Sequence, residues 1–254
     1  MDTQPGSFIL NKQQGVTLLL IFAIAFGIRL WAVTAYPAEP VSDAADYHRL
    51  ATGLAGGFGY VNADGLPTAW RPPGYPLFLA AIYLATGPDV SAATIVQAGL
   101  GSVTAILIAL LGFLVAGRRT GVIAGLLAAV YPAFFWLPRV LFSENVSLFL
   151  TVAALCCAVM AARNRNWRWA LLLGLLLGIS ILVRGTNLMV AALIIVGFVV
   201  AFWKSRVPFR SAASVVLLTI AAIVVVMAPV TIRNYRLFHR FIPLANQDGV
   251  TFYS

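Results

Sequence analysis

Apolar runs of roughly twenty residues recur along this 254-residue chain, and that repetition constrains the fold more than any motif does. A helix needs about 20 apolar residues to cross the hydrocarbon core of a bilayer, and it must pair its own backbone N–H and C=O groups there. The runs fall at residues 15–36, 89–116, 121–137, 140–162, 167–183, 186–203 and 211–230. They predict an all-α polytopic membrane protein of about seven transmembrane helices. With 61% hydrophobic and 10% charged residues, the polar stretches are single loops too short to bury a core of their own. Residues 75–85 are apolar but too short to cross, and are expected to lie in the interface or to re-enter. The first run follows Lys12 yet shows no clear small-residue cleavage site and precedes further spans, so it reads as a retained helix.

Orientation follows from the basic residues. With the N-terminus in the cytoplasm, Lys12, Arg118, Arg119, Arg163, Arg165, Arg168, Lys204, Arg206 and Arg210 all fall on the inner side, in short loops. Asp2 is then the only inner acid, whereas Glu39, Asp43, Asp46, Asp64, Asp89, Glu144 and Asp248 lie outside. The net charge of +9 reflects this bias and an affinity for anionic head groups, and does not point to nucleic acid.

The first outer loop, residues 37–88, concentrates the groups that titrate or bind anions: Asp43, Asp46, His48, Arg49, Asp64 and Arg71. Arg29, Arg139, Arg184, Arg233, Arg236 and Arg240 join Arg49 and Arg71 in or beyond the outer half of the membrane, where the topology rule does not require them. Snorkelling to head groups or pairing with outer acids explains any single arginine. A cluster holding a phosphate through bidentate hydrogen bonds explains several together, with Arg71 and Arg184 the stronger candidates.

Each acid also has two readings. Asp43 and Tyr47 share a face if the segment is helical, with Asp46 beside them; Asp43 could equally serve as an N-terminal acid of a short interfacial helix. Glu144 could cap a helix or take part in chemistry. Three prolines and a glycine give the stretch Trp70-Arg71-Pro72-Pro73-Gly74-Tyr75-Pro76 an extended, turning reading with no helix. Cys156 and Cys157 are adjacent, which disfavours a disulfide between them and leaves them as packing residues. His48 and His239 alone support no metal site. Asn145-Val146-Ser147 matches a glycosylation sequon but lies within a span.

In order and spacing, these residues resemble the GT-C superfamily of membrane glycosyltransferases that use polyprenyl-phosphate sugars, the group of the protein O-mannosyltransferases and the lipid A aminoarabinose transferase. The resemblance is carried by Ser42-Asp43-Ala44-Ala45-Asp46-Tyr47, Gly57-Phe58-Gly59, residues 70–79, Ser143-Glu144, Leu182-Val183-Arg184 and Ala228-Pro229 through Arg233-Asn234-Tyr235. It implies a single transmembrane transferase module over residues 1–254, with interfacial helices and the active site in the first outer loop.

The catalytic set so implied is Asp43, Asp46 and Glu144. The donor phosphate falls to Arg71, Arg184, Arg49 and Arg139, and Tyr47, Pro72, Pro73, Gly74 and Tyr75 shape the loop. Relatives carry Asp followed by Glu at the loop start; here Ala44 follows Asp43 and the second acid is Asp46, which leaves the base between the two, with the spacing to Tyr47 favouring Asp43. The implied partners are a polyprenyl-phosphate-linked sugar and a lipid, glycan or protein acceptor, in a bacterial plasma membrane with the loop outside. No cofactor is implied with certainty, and metal dependence stays open. Relatives also carry further helices and an outer domain, so residues 235–254 read as the start of a truncated outer loop in a fragment of a longer protein. A transporter or lipid flippase without bond chemistry is the competing class, and an inactive lipid-binding remnant a third. Transporters commonly show internal repeats and broken helices at mid-membrane. No convincing repeat is present, and the polar groups collect in one outer loop.

Overall fold

A computed structural model describes residues 11–164, 166–204 and 209–246. Asp2, Arg165, Arg206 and Asp248 of the topology reading lie outside these residues. The described chain is built from helices; its one β-type pairing is an isolated bridge between Val61 and Pro67.

Each of the seven apolar runs holds a helix. They are α1 Lys12–Ala35, α4 Val90–Ala116, α5 Arg118–Val130, α7 Glu144–Asn164, α8 Trp167–Val183, α9 Asn187–Lys204 and α10 Phe209–Phe238. Two amphipathic or apolar helices stand in the loop over residues 37–88, α2 Asp43–Ala55 and α3 Gly74–Thr86, and a short α6, Pro132–Trp136, follows α5. The helix starts are written in the sequence. Asn11 and Gln14 form a reciprocal capping box on α1, Asp89 accepts from Ser91 N and Ala92 N on α4, and Asn166 accepts from Arg168 N on α8.

By length and composition α1, α4, α7 and α10 can each cross a bilayer, and the α5–α6 pair makes a fifth if taken as one broken span. Helices α8 and α9 are apolar but shorter.

Three expectations need correction. The run at 121–137 is not one straight helix: Tyr131 is extended and Pro132 starts a new segment bent by 52°. Proline lacks the N–H that would continue the ladder and biases the preceding residue away from helix. The last helix passes residue 230 and runs to Phe238 with Pro229 inside it.

The segment around Pro72 and Pro73 is not extended throughout. Gly74 and Tyr75, assigned to loop shaping, open α3, and Pro76 sits in its first turn. A proline there loses nothing, because first-turn N–H groups have no helical partner.

Helices α1, α4 and α5 pack around Ile21, Ala25, Ala105, Ala109 and Ala128. Helices α7 to α10 pack around Ala154, Leu173, Leu177, Ile181 and Ile223. Glycine sets the closest approaches, as expected where packing rather than hydrophobicity joins helices in lipid. A Cβ on Gly112 would stand 2.6 Å from Gly121 Cα, and one on Gly174 would stand 2.5 Å from Thr219 O. A third cluster, with Tyr47, Ala51, Tyr75, Leu79, Leu141 and Val183, seats α2 and α3 on the start of α7 and the end of α8.

Arg29 is explained by packing alone. It is 1% exposed, and its guanidinium donates to Ala128 O and Ala129 O at 3.1 Å each, the unpaired carbonyls that end α5. Asn145 is also buried and donates to Gln97 O at 2.9 Å, so the sequon match is accidental.

Candidate active site

Helix α2 begins at Asp43, so Asp43 and Asp46 occupy its first turn, where the macrodipole favours negative charge. The reading of Asp43 as an N-terminal acid and its place in the site are therefore compatible. Arg71 meets both acids with one nitrogen: Nη2 donates to Asp43 Oδ1 at 2.6 Å and to Asp46 Oδ2 at 3.0 Å. The other oxygen of Asp46 accepts from Arg49 Nη2 at 3.0 Å. The Arg71 guanidinium also lies over the Tyr47 ring, 5.3 Å from its centroid.

Arg71 is only 6% exposed. Burial opposes its charge, but hydrogen bonds to Asp43 and Asp46 outweigh burial and raise its pKa above the ordinary arginine value. Tyr47 is pushed up by burial, against a lowering hydrogen bond from Ser143 and the charge of Arg71.

The facing wall comes from a different part of the chain. Glu144 is the first residue of α7 and Arg184 caps the end of α8; Arg184 Nη1 and Glu144 Oε1 pair at 2.5 Å. Arg184 Nε donates to Thr186 Oγ1 at 3.1 Å.

Buried amides hold this wall in place. Asn187 Nδ2 donates to Ser180 Oγ at 2.6 Å and to Ser147 Oγ at 2.8 Å, tying α7, α8 and α9 beneath Arg184. Gln97, fully buried in α4, accepts from Tyr75 Oη at 2.8 Å and donates to Pro138 O and Val140 O. Gly74 brings the two walls together. A Cβ there would lie 2.6–2.7 Å from Leu182 C and O and Val183 N, so only glycine lets α3 dock on the last turn of α8, which leads to Arg184.

Three cavities share Arg71. One of about 300 Å³ is lined by Asp43, Tyr47, Ser143, Glu144 and Arg184 as well as Pro72. A second, of about 430 Å³, is lined by Asp46, Arg49, Asp64 and Trp70 among others. The third, of about 290 Å³, is apolar apart from its cations and polar edge: Leu54, Pro73, Leu77 and Val230 surround Arg233.

Arg233 in turn pins the α2–α3 loop over the end of α10, donating to Thr68 O at 2.9 Å and Tyr60 O at 3.2 Å. Tyr60 Oη donates to Arg71 O at 2.8 Å, and burial raises the Tyr60 pKa.

The structure thus gathers Asp43, Glu144, Arg71 and Arg184 around one cavity, with Asp46 and Arg49 on the other side of Arg71. Arg139 is not among them. It stacks on Trp136 at 4.1 Å and donates Nε to Tyr36 O at 2.5 Å, as a head-group-level arginine does. Sequence reasoning passed over Ser143 as a side chain, together with Gln97 and Asn187. An amide inside an apolar run is costly unless bonded, and that is the signal which marks Gln97. Among the described residues no three His, Cys, Asp or Glu side chains come together as metal ligands.

Residues 70–232 match the sequence model of the dolichyl-phosphate-mannose-protein mannosyltransferase family. The match covers Arg71, Glu144 and Arg184 but begins after Asp43 and Asp46. A comparison with curated proteins gives no match. Because the matched residues make up more than half of the chain, and the fold is an all-α membrane architecture, the chain belongs to the dolichyl-phosphate-mannose-protein mannosyltransferase family of GT-C-type membrane glycosyltransferases.

Proposed function

We propose that this membrane glycosyltransferase moves a sugar from a polyprenyl-phosphate donor to a hydroxyl or amine at the outer face of the membrane. The carrying observation is the Asp43–Arg71 pair at 2.6 Å, facing Glu144–Arg184 across one cavity. Such a donor already bears its leaving group. Transfer therefore needs a base for the acceptor proton and cations for the departing phosphate.

Asp43 is the base: its side chain is 52% exposed, while Asp46 is held by two arginines. In a single inverting displacement the acceptor oxygen or nitrogen bonds to the anomeric carbon and its proton passes to Asp43. The bond from that carbon to the phosphate oxygen breaks, and its electron pair leaves with the polyprenyl phosphate.

Arg71 meets that charge, with Arg184 as the second cation of the cavity. Nε of Arg71 is buried with no hydrogen-bond partner, a donor that a phosphate oxygen would satisfy. The apolar cavity on the other side of Arg71 suits the lipid end of the donor.

Asp43→Asn removes the basicity with almost no change in volume and leaves an oxygen able to accept from Arg71. It is expected to lower transfer roughly a hundredfold to ten-thousandfold while donor binding persists. Turnover assays on purified Asp43→Asn and Asp46→Asn decide the assignment. Full activity in the first with loss in the second moves the base to Asp46, and full activity in both removes the transfer mechanism.

A further inference from the structure

The cavity beyond Arg71, on the side away from Asp43, has a lining of a different kind. Asp46, Arg49, Asn62, Asp64 and Thr68 place carboxylate, guanidinium, amide and hydroxyl groups around one aromatic side chain, Trp70. Its volume of about 430 Å³ falls within the roughly 300–1,000 Å³ of small-ligand sites.

Two features narrow the ligand. The two carboxylates of this lining are matched by the two guanidiniums of Arg49 and Arg71, so the cavity favours neither an anion nor a cation. The polar groups also include both fixed acceptors and fixed donors, and Arg49 Nη1 is buried without a partner.

Trp70 supplies the third feature. It is 44% exposed, beside side chains that would otherwise ask only for water. A tryptophan that anchors a protein in the membrane interface faces lipid head groups; this one shares a cavity with Asp46 and Asp64. Hydrogen bonds shape the loop that carries it. The Trp70 backbone N–H donates to Thr68 Oγ1 at 3.1 Å, and Asn62 Oδ1 closes the turn below by accepting from Asp64 N at 3.0 Å and Leu66 N at 2.9 Å. A neutral ligand that both donates and accepts many hydrogen bonds and also has a flat C–H face to cover an indole is a saccharide.

We propose that this cavity is a saccharide-binding subsite, with a sugar ring stacked on Trp70 and its hydroxyls read by Asp64, Arg49 and Asn62. Asp46 and Arg71 form its inner wall, and Asp43 lies on the same Arg71 nitrogen. Arg71 separates this cavity from the one that holds Asp43, so a glycan seated here that extends past Arg71 meets the transfer centre, which makes it the acceptor. Naming it the acceptor rests on the transfer reading above; the binding of a saccharide does not.

The test is saturation-transfer NMR on the purified full chain in nanodiscs, with no donor present. Mannobiose, chitobiose and lactose serve as saccharide probes and a short Ser/Thr-rich peptide as the competing class. Wild type and Asp43→Asn are expected to show transfer to at least one disaccharide. Trp70→Ala is expected to bind it about tenfold more weakly, and Trp70→Phe, which keeps an aromatic face, to fall between. Retained polyprenyl-phosphate binding by Trp70→Ala shows that the variant is folded; if it is lost, the comparison is made on Asp64→Ala, expected to weaken saccharide binding to a similar extent.

Wild type that binds none of the three disaccharides overturns the subsite. So does a loss confined to the peptide, or saccharide binding unchanged in both cavity variants. Saccharide binding with full activity in both Asp43→Asn and Asp46→Asn would instead leave the subsite standing and remove the transfer mechanism.

Discussion

Arg71 gathers two carboxylates on one nitrogen and leaves its Nε buried and unpaired, and this asymmetry carries a residue-scale prediction. A lysine has the charge but not the planar fork, so it cannot hold Asp43 and Asp46 and also offer a second donor edge to a phosphate. Charge-assisted hydrogen bonds contribute on the order of 1.5–3 kcal/mol each. Arg71→Lys is therefore expected to weaken binding of a polyprenyl-phosphate analogue roughly tenfold to a hundredfold. Arg184→Lys, at the facing wall, is expected to act in the same direction. Titration of the three proteins in nanodiscs decides it, and three superimposable curves would leave these arginines as packing residues only.

His48, on the same short helix, gives a pH prediction. Its Nδ1 lies 2.8 Å from Tyr83 Oη, and burial lowers its pKa below the ordinary histidine value. The unfolded segment then binds protons more readily than the folded one. The contribution of neutral His48 to the α2–α3 contact is present above the ordinary histidine pKa, about 6.5, and is lost as pH falls through the depressed folded value. Amide protection factors of α2, corrected for the intrinsic pH dependence of exchange, should fall between pH 8 and pH 5 in wild type and change less in His48→Asn; an equal fall in both assigns the effect elsewhere.

At the scale of elements, the site depends on one docking contact, that of the α3 N-terminus on the end of α8. An added Cβ at Gly74 meets backbone atoms of Leu182 and Val183 below 3.0 Å, and backbone cannot step aside as a side-chain tip can. Gly74→Ala is expected to push α3 off α8 and to part Asp43 and Arg71 from Glu144 and Arg184. The cost is about 1–3 kcal/mol, as in other overpacked contacts. Thermal unfolding and transfer assays read the two effects together. Unchanged melting and unchanged activity would show that the two walls do not need this contact. The bend at Tyr131–Pro132 belongs to the same scale: it ends α5 at the carbonyls that Arg29 closes, so a membrane-embedded arginine finds its partners in a helix terminus and not in an acid.

For the whole molecule, the inner and outer sides are predicted by the alternation of basic loops, and every functional reading requires Asp43, Arg71 and Trp70 to share one compartment outside the cytoplasm. Reporter fusions after Arg119 should report the cytoplasm and fusions near Asp64 the outer side. An inverted result would place the transfer site in the wrong compartment.

Helical class, the seven apolar runs and the concentration of acids and arginines in one loop were all legible in the sequence. Burial in lipid demands long apolar helices whatever their neighbours, and charge is tolerated only where it is paired or wet. Asp43 opening a helix was legible as well, because first-turn acids answer a local dipole. What is decided between distant segments was not. That Arg71 would be held by two aspartates 25 and 28 residues away depends on α2 packing against α3, and that Glu144 would meet Arg184 across 40 residues depends on α7 packing against α8. Pro72, Pro73 and Pro76 together suggested an extended stretch, yet Pro76 lies in the first turn of α3, where its missing N–H costs no helical hydrogen bond. The same guanidinium chemistry serves Arg29 as a helix cap, Arg139 as a stacked surface group and Arg71 as the centre of the site. Local sequence sets what an arginine can bind, and only the packing of helices far apart in the chain settles which partner lies within reach.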